Sequence, residues 1–386
     1  MTLAVGLCAA APLFGQAPPL DAKTGGALVG DMTLDQIYLT RDLNADGDAE
    51  DAGEHWVYLD ATNASGLPTP TNSVYTIFQS ISGYQFYGDG TADTVYRMRD
   101  LNGDWDAQDA GEANVWFSGA ANYHGFLLPS PQGVFQDSSG ATFILNAGTL
   151  TSGADALYRT VDLNGDGDAN DENEATLWMD IYSFLDTAPF QLSIMNDAAY
   201  FADTVGTDEI HRAVDINGNG VIEVGEFNVF ATEGSFGIQV GGTVVNDGTS
   251  LFIAEASNTL PQKVFQLTDL NASNNIDDAS EVFEVWNESC MPAGISLGAT
   301  WALAIGPGGE LLVASAGVDA SDNILRLLDL NDDGDFLDAN ETIAWATGHG
   351  DGVFIDYARS LEYIVPEPGT LALLGLGALV LARRRR

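Results

Sequence analysis

Positive charge is scarce in this 386-residue chain: 13 Lys and Arg stand against 56 Asp and Glu, for a formal net charge of −43. Phosphate binding needs clustered Lys and Arg, so nucleic acid is excluded as a partner and anionic lipid headgroups are repelled. Cysteine is nearly absent. Cys8 falls in an apolar N-terminal stretch and Cys290 stands alone, so no disulfide framework is available to a mature domain. The four histidines, His55, His124, His211 and His349, are scattered, and no H-E-x-x-H or phosphate-binding loop is present. His211 falls in a repeated third strand, where other repeats carry Tyr, Phe or Leu, which reads as a packing residue. The hydrophobic share of 45% is enough to bury a sizeable core, as one large all-β unit or two ordinary domains.

The acids are not spread evenly. Thirty of the 56 fall in six short loops whose first Asp residues are Asp42, Asp100, Asp162, Asp215, Asp269 and Asp329, spaced 53 to 62 residues apart. Seven residues before each stands Asp35, Asp93, Asp155, Asp208, Gln262 or Asp322. Between the two landmarks lies an apolar run such as Thr94-Val-Tyr-Arg97. After each loop comes a second run, such as Asn114-Val-Trp-Phe117 or Thr342-Ile-Ala-Trp345; both read as strands. Two more runs precede each upstream landmark, clearest in Trp301–Ile305 and Glu310–Ala314 around Gly308-Gly309, a hairpin signal. One repeat is therefore four strands with the acidic loop between the third and fourth. The expected fold is all-β: a six-bladed β-propeller of four-stranded blades over 25–364. Its first repeat lacks an innermost strand. The run Val353–Tyr357, continuing through Leu361–Val365, is expected to supply it and so remove a free sheet edge.

Numbered from its first Asp, each loop sets oxygens at positions 1, 3, 5 and 7 around a turn residue at 6. Loop one offers Asp42, Asn44, Asp46 and Asp48; loop two Asp100, Asn102, Asp104 and Asp106; loop three Asp162, Asn164, Asp166 and Asp168. Loop four offers Asp215, Asn217, Asn219 and the carbonyl of Val221; loop five Asp269, Asn271 and Ser273; loop six Asp329, Asn331, Asp333 and Asp335. Five loops then carry Asp at position 10 and Glu at 13: Asp51 and Glu54, Asp109 and Glu112, Asp171 and Glu174, Asp278 and Glu281, Asp338 and Glu341. Loop four has Glu226 at position 12 instead. Alternating oxygens around a glycine suit Ca²⁺, a hard cation that takes six to eight of them, so up to six Ca²⁺ ions are expected. The competing reading is that Asp and Asn build these turns without metal. Trp105 at position 6 of loop two and Asn274 in loop five weaken those two loops, because a bulky residue is costly at positive φ. The upstream aspartates read as turn caps or as partners of the Arg four residues on, as with Asp93 and Arg97.

The loop pattern is similar to that of EF-hand and dockerin calcium loops, loop four keeping their length and the other five departing from it by one residue. At the C-terminus, Val365-Pro-Glu-Pro368, the apolar Thr370 to Ala382 and Arg383 to Arg386 resemble the PEP-CTERM sorting signal. That resemblance implies export, processing by an exosortase, transient inner-membrane insertion and association with extracellular polysaccharide. Thirteen apolar residues at ~1.5 Å each span roughly 20 Å, short of a ~30 Å hydrocarbon core, which suits a transient stop. Residues 1–17 resemble a truncated secretory signal peptide. The domain reading is thus 1–17, 25–364 and 365–386. Function follows as a calcium-binding structural or binding module at the cell surface or in the matrix. No catalytic residue stands out, and a calcium-dependent hydrolase of envelope or extracellular polymers is the alternative.

Overall fold

The computed structural model describes residues 26–364 apart from 72, 149–154, 186–187, 204–207, 239–240, 255–260, 317–321 and 348–354; the N-terminal stretch and the sorting signal lie outside the described residues. Six antiparallel four-stranded sheets are arranged as the blades of a propeller. Blade one comprises Ala358–Ile364, Gly26–Asp31, Gln36–Thr40 and His55–Asp60, in order from the axis outward. Blade two is Val74–Gln79, Gln85–Asp89, Thr94–Met98 and Ala113–Ser118; blade three is Pro131–Gln136, Thr142–Asn146, Ala156–Thr160 and Ala175–Asp180. Blade four is Pro189–Met195, Ala198–Asp203, Glu209–Ala213 and Phe227–Thr232; blade five is Thr243–Asn246, Leu251–Ala254, Lys263–Leu267 and Val282–Asn287. Blade six is Ala299–Ile305, Leu311–Ala316, Asn323–Leu327 and Thr342–Thr347. The six innermost strands touch in sequence around a closed ring.

The core is divided into six apolar wedges, one between each pair of neighbouring blades. Both faces of a blade are covered, so the middle strands read as near-continuous apolar runs. Leu28 belongs to the wedge shared with blade two, whereas Ala27 and Val29 face blade six. Large aromatics fill the wider outer part of each wedge, as Trp116 does between blades two and three and Trp345 between blades six and one.

The ring closes through the end of the chain. Ala358–Ile364 pairs antiparallel with Gly26–Asp31, Leu361 opposite Val29 and Ile364 opposite Gly26. This is the expected closure, with its boundary moved. Ile355 to Tyr357 form the approach and not the strand, because Asp31 Oδ2 accepts the N–H of Asp356 at 2.7 Å and holds that segment as a turn. Cys290 Sγ lies 3.4 Å from the Leu337 carbonyl of loop six; Cys8 lies outside the described residues.

Gly30 marks where closure is tightest. A Cβ there would overlap Ser360 Oγ of the closing strand and stand 2.6 Å from Val74 Cγ1 of blade two. Gly30→Ala is expected to destabilise the protein by ~1–3 kcal/mol through overpacking, read as a lower urea midpoint. An unchanged midpoint would show that the closing strand is not held this closely.

Candidate functional site

Each acidic loop leaves the third strand of its blade and returns as the fourth, so all six lie on one face of the disc with the hairpins joining strands one and two. In loop three, Asp162 holds the turn, Oδ1 accepting Gly165 N–H at 2.6 Å and Oδ2 accepting Gly167 N–H at 3.0 Å. Such a turn needs left-handed backbone at positions 4 and 6, where Gly165 has φ 79° and Gly167 φ 101°. Asn164 Oδ1 and Asp166 Oδ1 continue the ladder by accepting the N–H groups two residues on. Glu174 is buried and clamps both ends: Oε1 accepts Leu163 N–H at 2.9 Å and Oε2 accepts Asp171 N–H at 3.1 Å. Glu54, Glu112, Glu226, Glu281 and Glu341 are buried and clamp their own loops likewise.

The Asn at position 3 places its amide nitrogen between the carboxylates of positions 5 and 10. Asn164 Nδ2 donates to Asp166 Oδ2 at 3.0 Å and to Asp171 Oδ2 at 2.6 Å. Asn102 and Asn331 repeat both bonds, and Asn44 reaches Asp46 and Asp51. Among the described residues, loops one and two bring three carboxylates together, with oxygens of Asp46, Asp51 and Glu54, and of Asp104, Asp106 and Glu112, within 4.8 Å of one another. Loop two, discounted for Trp105, is thus one of the two best assembled. Loops four and five place Asn219 and Ser273 at position 5, which lowers their charge. Crowding registers in the protonation of the acids. Burial, reinforced by Asp46, Glu50 and Glu54, pushes Asp48 up to about 6, and burial with neighbouring acids also raises Asp106, Asp171 and Asp335.

Position 8 joins each loop to the blade before it. In every blade the register between third and fourth strands skips one outer residue: Tyr58, Trp116, Trp178, Phe230, Val285 and Trp345. Such a bulge frees a carbonyl from the ladder. That carbonyl accepts the position-8 N–H of the following blade's acidic loop: Ala107 to Tyr58, Ala169 to Trp116, Ile222 to Trp178, Ile276 to Phe230, Phe336 to Val285 and, across the closure, Ala49 to Trp345, all at 2.7–2.8 Å. All six position-8 side chains are buried in the inter-blade wedges. Position 6 adds a second tie in several loops. Its carbonyl accepts Asn114 Nδ2 at Gly167 (2.7 Å), Asn228 Nδ2 at Asn274 (2.8 Å) and Trp56 Nε1 at Trp105 (2.6 Å). Trp105 does take the costly conformation, with φ 76°. Its ring lies 3.7 Å from the Arg41 guanidinium of blade one, a cation–π contact that offsets the strain.

The upstream aspartates are turn residues, as expected, and act through side chain and main chain, Asp155 Oδ1 accepting the Gly148 N–H at 2.5 Å. Asp35 and Asp93 are left-handed, and the carbonyls of Asp93, Asp155 and Asp208 accept the N–H of the residue after the fourth strand or close to it. Arg97 Nε is turned to Asn114 Oδ1 at 3.3 Å and its guanidinium lies over Tyr84, so the Asp93–Arg97 pairing is corrected. Further side-chain caps stand earlier and were missed. Asp89 Oδ1 accepts Thr91 and Ala92 N–H, both at 3.0 Å, while its Oδ2 takes Thr71 N–H at 2.9 Å. Asp31 does the same for its own turn. Their signal was the Asp four residues before Asp35 and Asp93.

His211 is fully buried against Phe227 and Phe201, with Nε2 3.4 Å from Asp203 Oδ2, in keeping with packing. The central channel contains a cavity of about 160 Å³ whose lining includes Thr76, Phe78, Phe135, Ser193, Asn246 and Glu362, with no histidine and a single acid. Glu362, on the closing strand, has no counterpart in the other blades, so a search for repeated acids overlooks it. Burial raises its carboxyl to about 8 although Gln79 N–H donates to it at 3.0 Å.

Residues 365–386 match the PEP-CTERM protein-sorting motif. With this motif and the six blades, the protein is an exported surface propeller. No curated protein matches the chain. Similar solved structures include a protein of unknown function from Bacteroides caccae (11% identity, 88% of this chain and 99% of that one, TM-score 0.49). Virginiamycin B lyase from Staphylococcus aureus shares 16% identity over 81% of this chain and 83% of that one, with TM-score 0.43. A nidogen/laminin complex chain shares 12% over 70% and 79%, with TM-score 0.45. At these values none bears on what this chain binds. Among the described residues no helix is long and apolar enough to cross a membrane.

Two outcomes are expected. Ala107→Pro removes the N–H that meets the bulge carbonyl of Tyr58 and is expected to cost ~1–3 kcal/mol in chemical denaturation. The raised Glu362 carboxyl holds a proton in the folded chain that the unfolded chain releases, so stability falls as pH rises from about 4.5 through about 8. In chelator, the melting temperature should therefore be higher at pH 6 than at pH 8.5, and Glu362→Gln should reduce that difference.

Proposed function

We propose that this protein is a calcium-stabilised scaffold, exported and processed by an exosortase, that acts as a structural or binding module at the cell surface or in a polysaccharide matrix. The observation carrying it is that acidic side chains converge on the same loops that tie blade to blade. A cation there would bind the ring and not merely a loop. The donor sets fit calcium chemically: they are all oxygen, and in loops one and two three carboxylates already meet. The Asn amide between positions 5 and 10 marks where positive charge is most favoured. In loops one and two, Asp46, Asp51 and Glu54, and Asp104, Asp106 and Glu112, would hold the ion. Asp48, the other position-1, -3 and -7 oxygens and the remaining loops would complete or repeat the site. Because both oxygens of each closing Glu already accept backbone N–H groups, the Asp at position 10 is the freer ligand.

A hydrolase of envelope or extracellular polymers is the second reading, with Glu362 in the channel as its candidate acid. Insertion of the C-terminal segment in the inner membrane before processing belongs to the proposal.

A ligand bound only by the folded state at 100 times its Kd adds ~2.7 kcal/mol per site. Millimolar calcium is therefore expected to raise the melting temperature well above that in chelator, and paired Asp46→Asn and Asp51→Asn substitutions should remove part of the rise. Identical melting curves with and without chelator would overturn the calcium reading. Pull-down against the cell's own matrix polysaccharides, with and without calcium, tests the binding role.

A further inference from the structure

Among the described residues, most of the exposed large hydrophobic side chains lie on the face that carries the acidic loops. Position 2 of every loop is a large aliphatic residue turned to solvent: Leu43 is 48% exposed, Leu101 60%, Leu163 64%, Ile216 70%, Leu270 60% and Leu330 46%. Nothing in the loop's own geometry requires an aliphatic there, since the hydrogen bond this residue makes is by its N–H to the closing Glu. Ile81, 72% exposed, adds to the same face from the first hairpin of blade two, and Trp105 and Val224 add to it from loops two and four. Of the fifteen exposed large hydrophobic residues among those described, ten lie in the acidic loops or the first hairpin of blade two, whereas Tyr182 and Phe236 lie in turns on the opposite face. Each of the six stands on its own loop, so what marks them is not a continuous patch but the recurrence of an exposed aliphatic at the same position of every loop.

The chain leaves from the middle of that ring. The innermost strand of blade one runs toward the acidic face and ends at Ile364, and the sorting motif begins at residue 365 with no linker between them. A tail held in a bilayer would therefore draw this face against the lipid. We propose that the six position-2 aliphatics form a membrane-contact ring, seating the propeller acidic face down on a zwitterionic bilayer while the tail is inserted. The inference rests on the proposed insertion of that tail and is independent of calcium. Lipid chemistry follows from the surrounding charge. Carboxylates flank each aliphatic, so anionic headgroups are repelled, whereas the outward ammonium groups of phosphatidylethanolamine are attracted. Aliphatic side chains can then reach the acyl boundary between them.

The test uses the full chain in vesicles of phosphatidylethanolamine and phosphatidylcholine, with a photo-reactive benzoylphenylalanine placed at Leu101, Leu163 or Leu330, or at Tyr182 or Phe236 on the opposite face. Resistance of the chain to alkaline extraction reports tail insertion separately. With the tail inserted, lipid adducts are expected at the three leucine positions at least tenfold above those at Tyr182 and Phe236, in calcium and in chelator alike, and fewer when phosphatidylglycerol is added. Equal labelling of the two faces, or protein–protein adducts at the leucine positions in place of lipid, would overturn the membrane-contact ring. Loss of the chain on alkaline extraction would instead overturn the insertion on which it rests.

Discussion

One hydrogen bond, made six times, organises this molecule: a position-8 N–H of an acidic loop meets the bulge carbonyl of the blade before it. A propeller has no central core, and its blades meet only across apolar wedges that are non-directional. The bond supplies direction and register at the rim. It also couples otherwise separate features. The bulge exists in every outer strand, the loop turns through left-handed positions 4 and 6, and the position-8 side chain enters the wedge beside an aromatic in most blades. Ala49 to Trp345 extends the same device across the closure, so blade six and blade one meet like any other pair.

Seen from that bond, the acids have two levels of work. Asp at position 1 and Glu at the end are buried or half-buried and consumed by backbone N–H groups, which makes them part of the turn itself. Acids at positions 5, 7 and 10 are closer to solvent and lie near one another; at Asp48 partial burial, with the neighbouring acids adding to it, favours the protonated carboxyl. The turn reading and the calcium reading are therefore not rivals. Main-chain hydrogen bonds shape the loop, and the remaining carboxylates offer a cation a place on a frame that spans two blades.

The fold was legible in the sequence because its period is long and its landmarks are loud. Repeated Asp residues bracket the third strand, and the aromatic runs after each loop fall within the observed outer strands, as Thr342–Trp345 does in Thr342–Thr347. Closure was legible too, by counting strands, although its boundary was not: Asp31 reaches across some 325 residues to turn the chain at Asp356. Side-chain caps at Asp31 and Asp89 were hidden because an Asp in a turn has several N–H groups within reach and sequence does not choose among them.

By itself the sequence determined the number of repeats, the strand content, the phase of the acidic loops and the chemistry of their oxygens. Each of these depends on neighbours along the chain: strand alternation, turn residues and local charge. Tertiary structure alone decided what the loops hold. The partner of Ala169 is Trp116, the ring over Arg41 is Trp105 of another blade, and Glu362 faces a channel built by all six blades. Such contacts join residues tens to hundreds of positions apart, and only the curvature of the closed ring brings them within bonding distance.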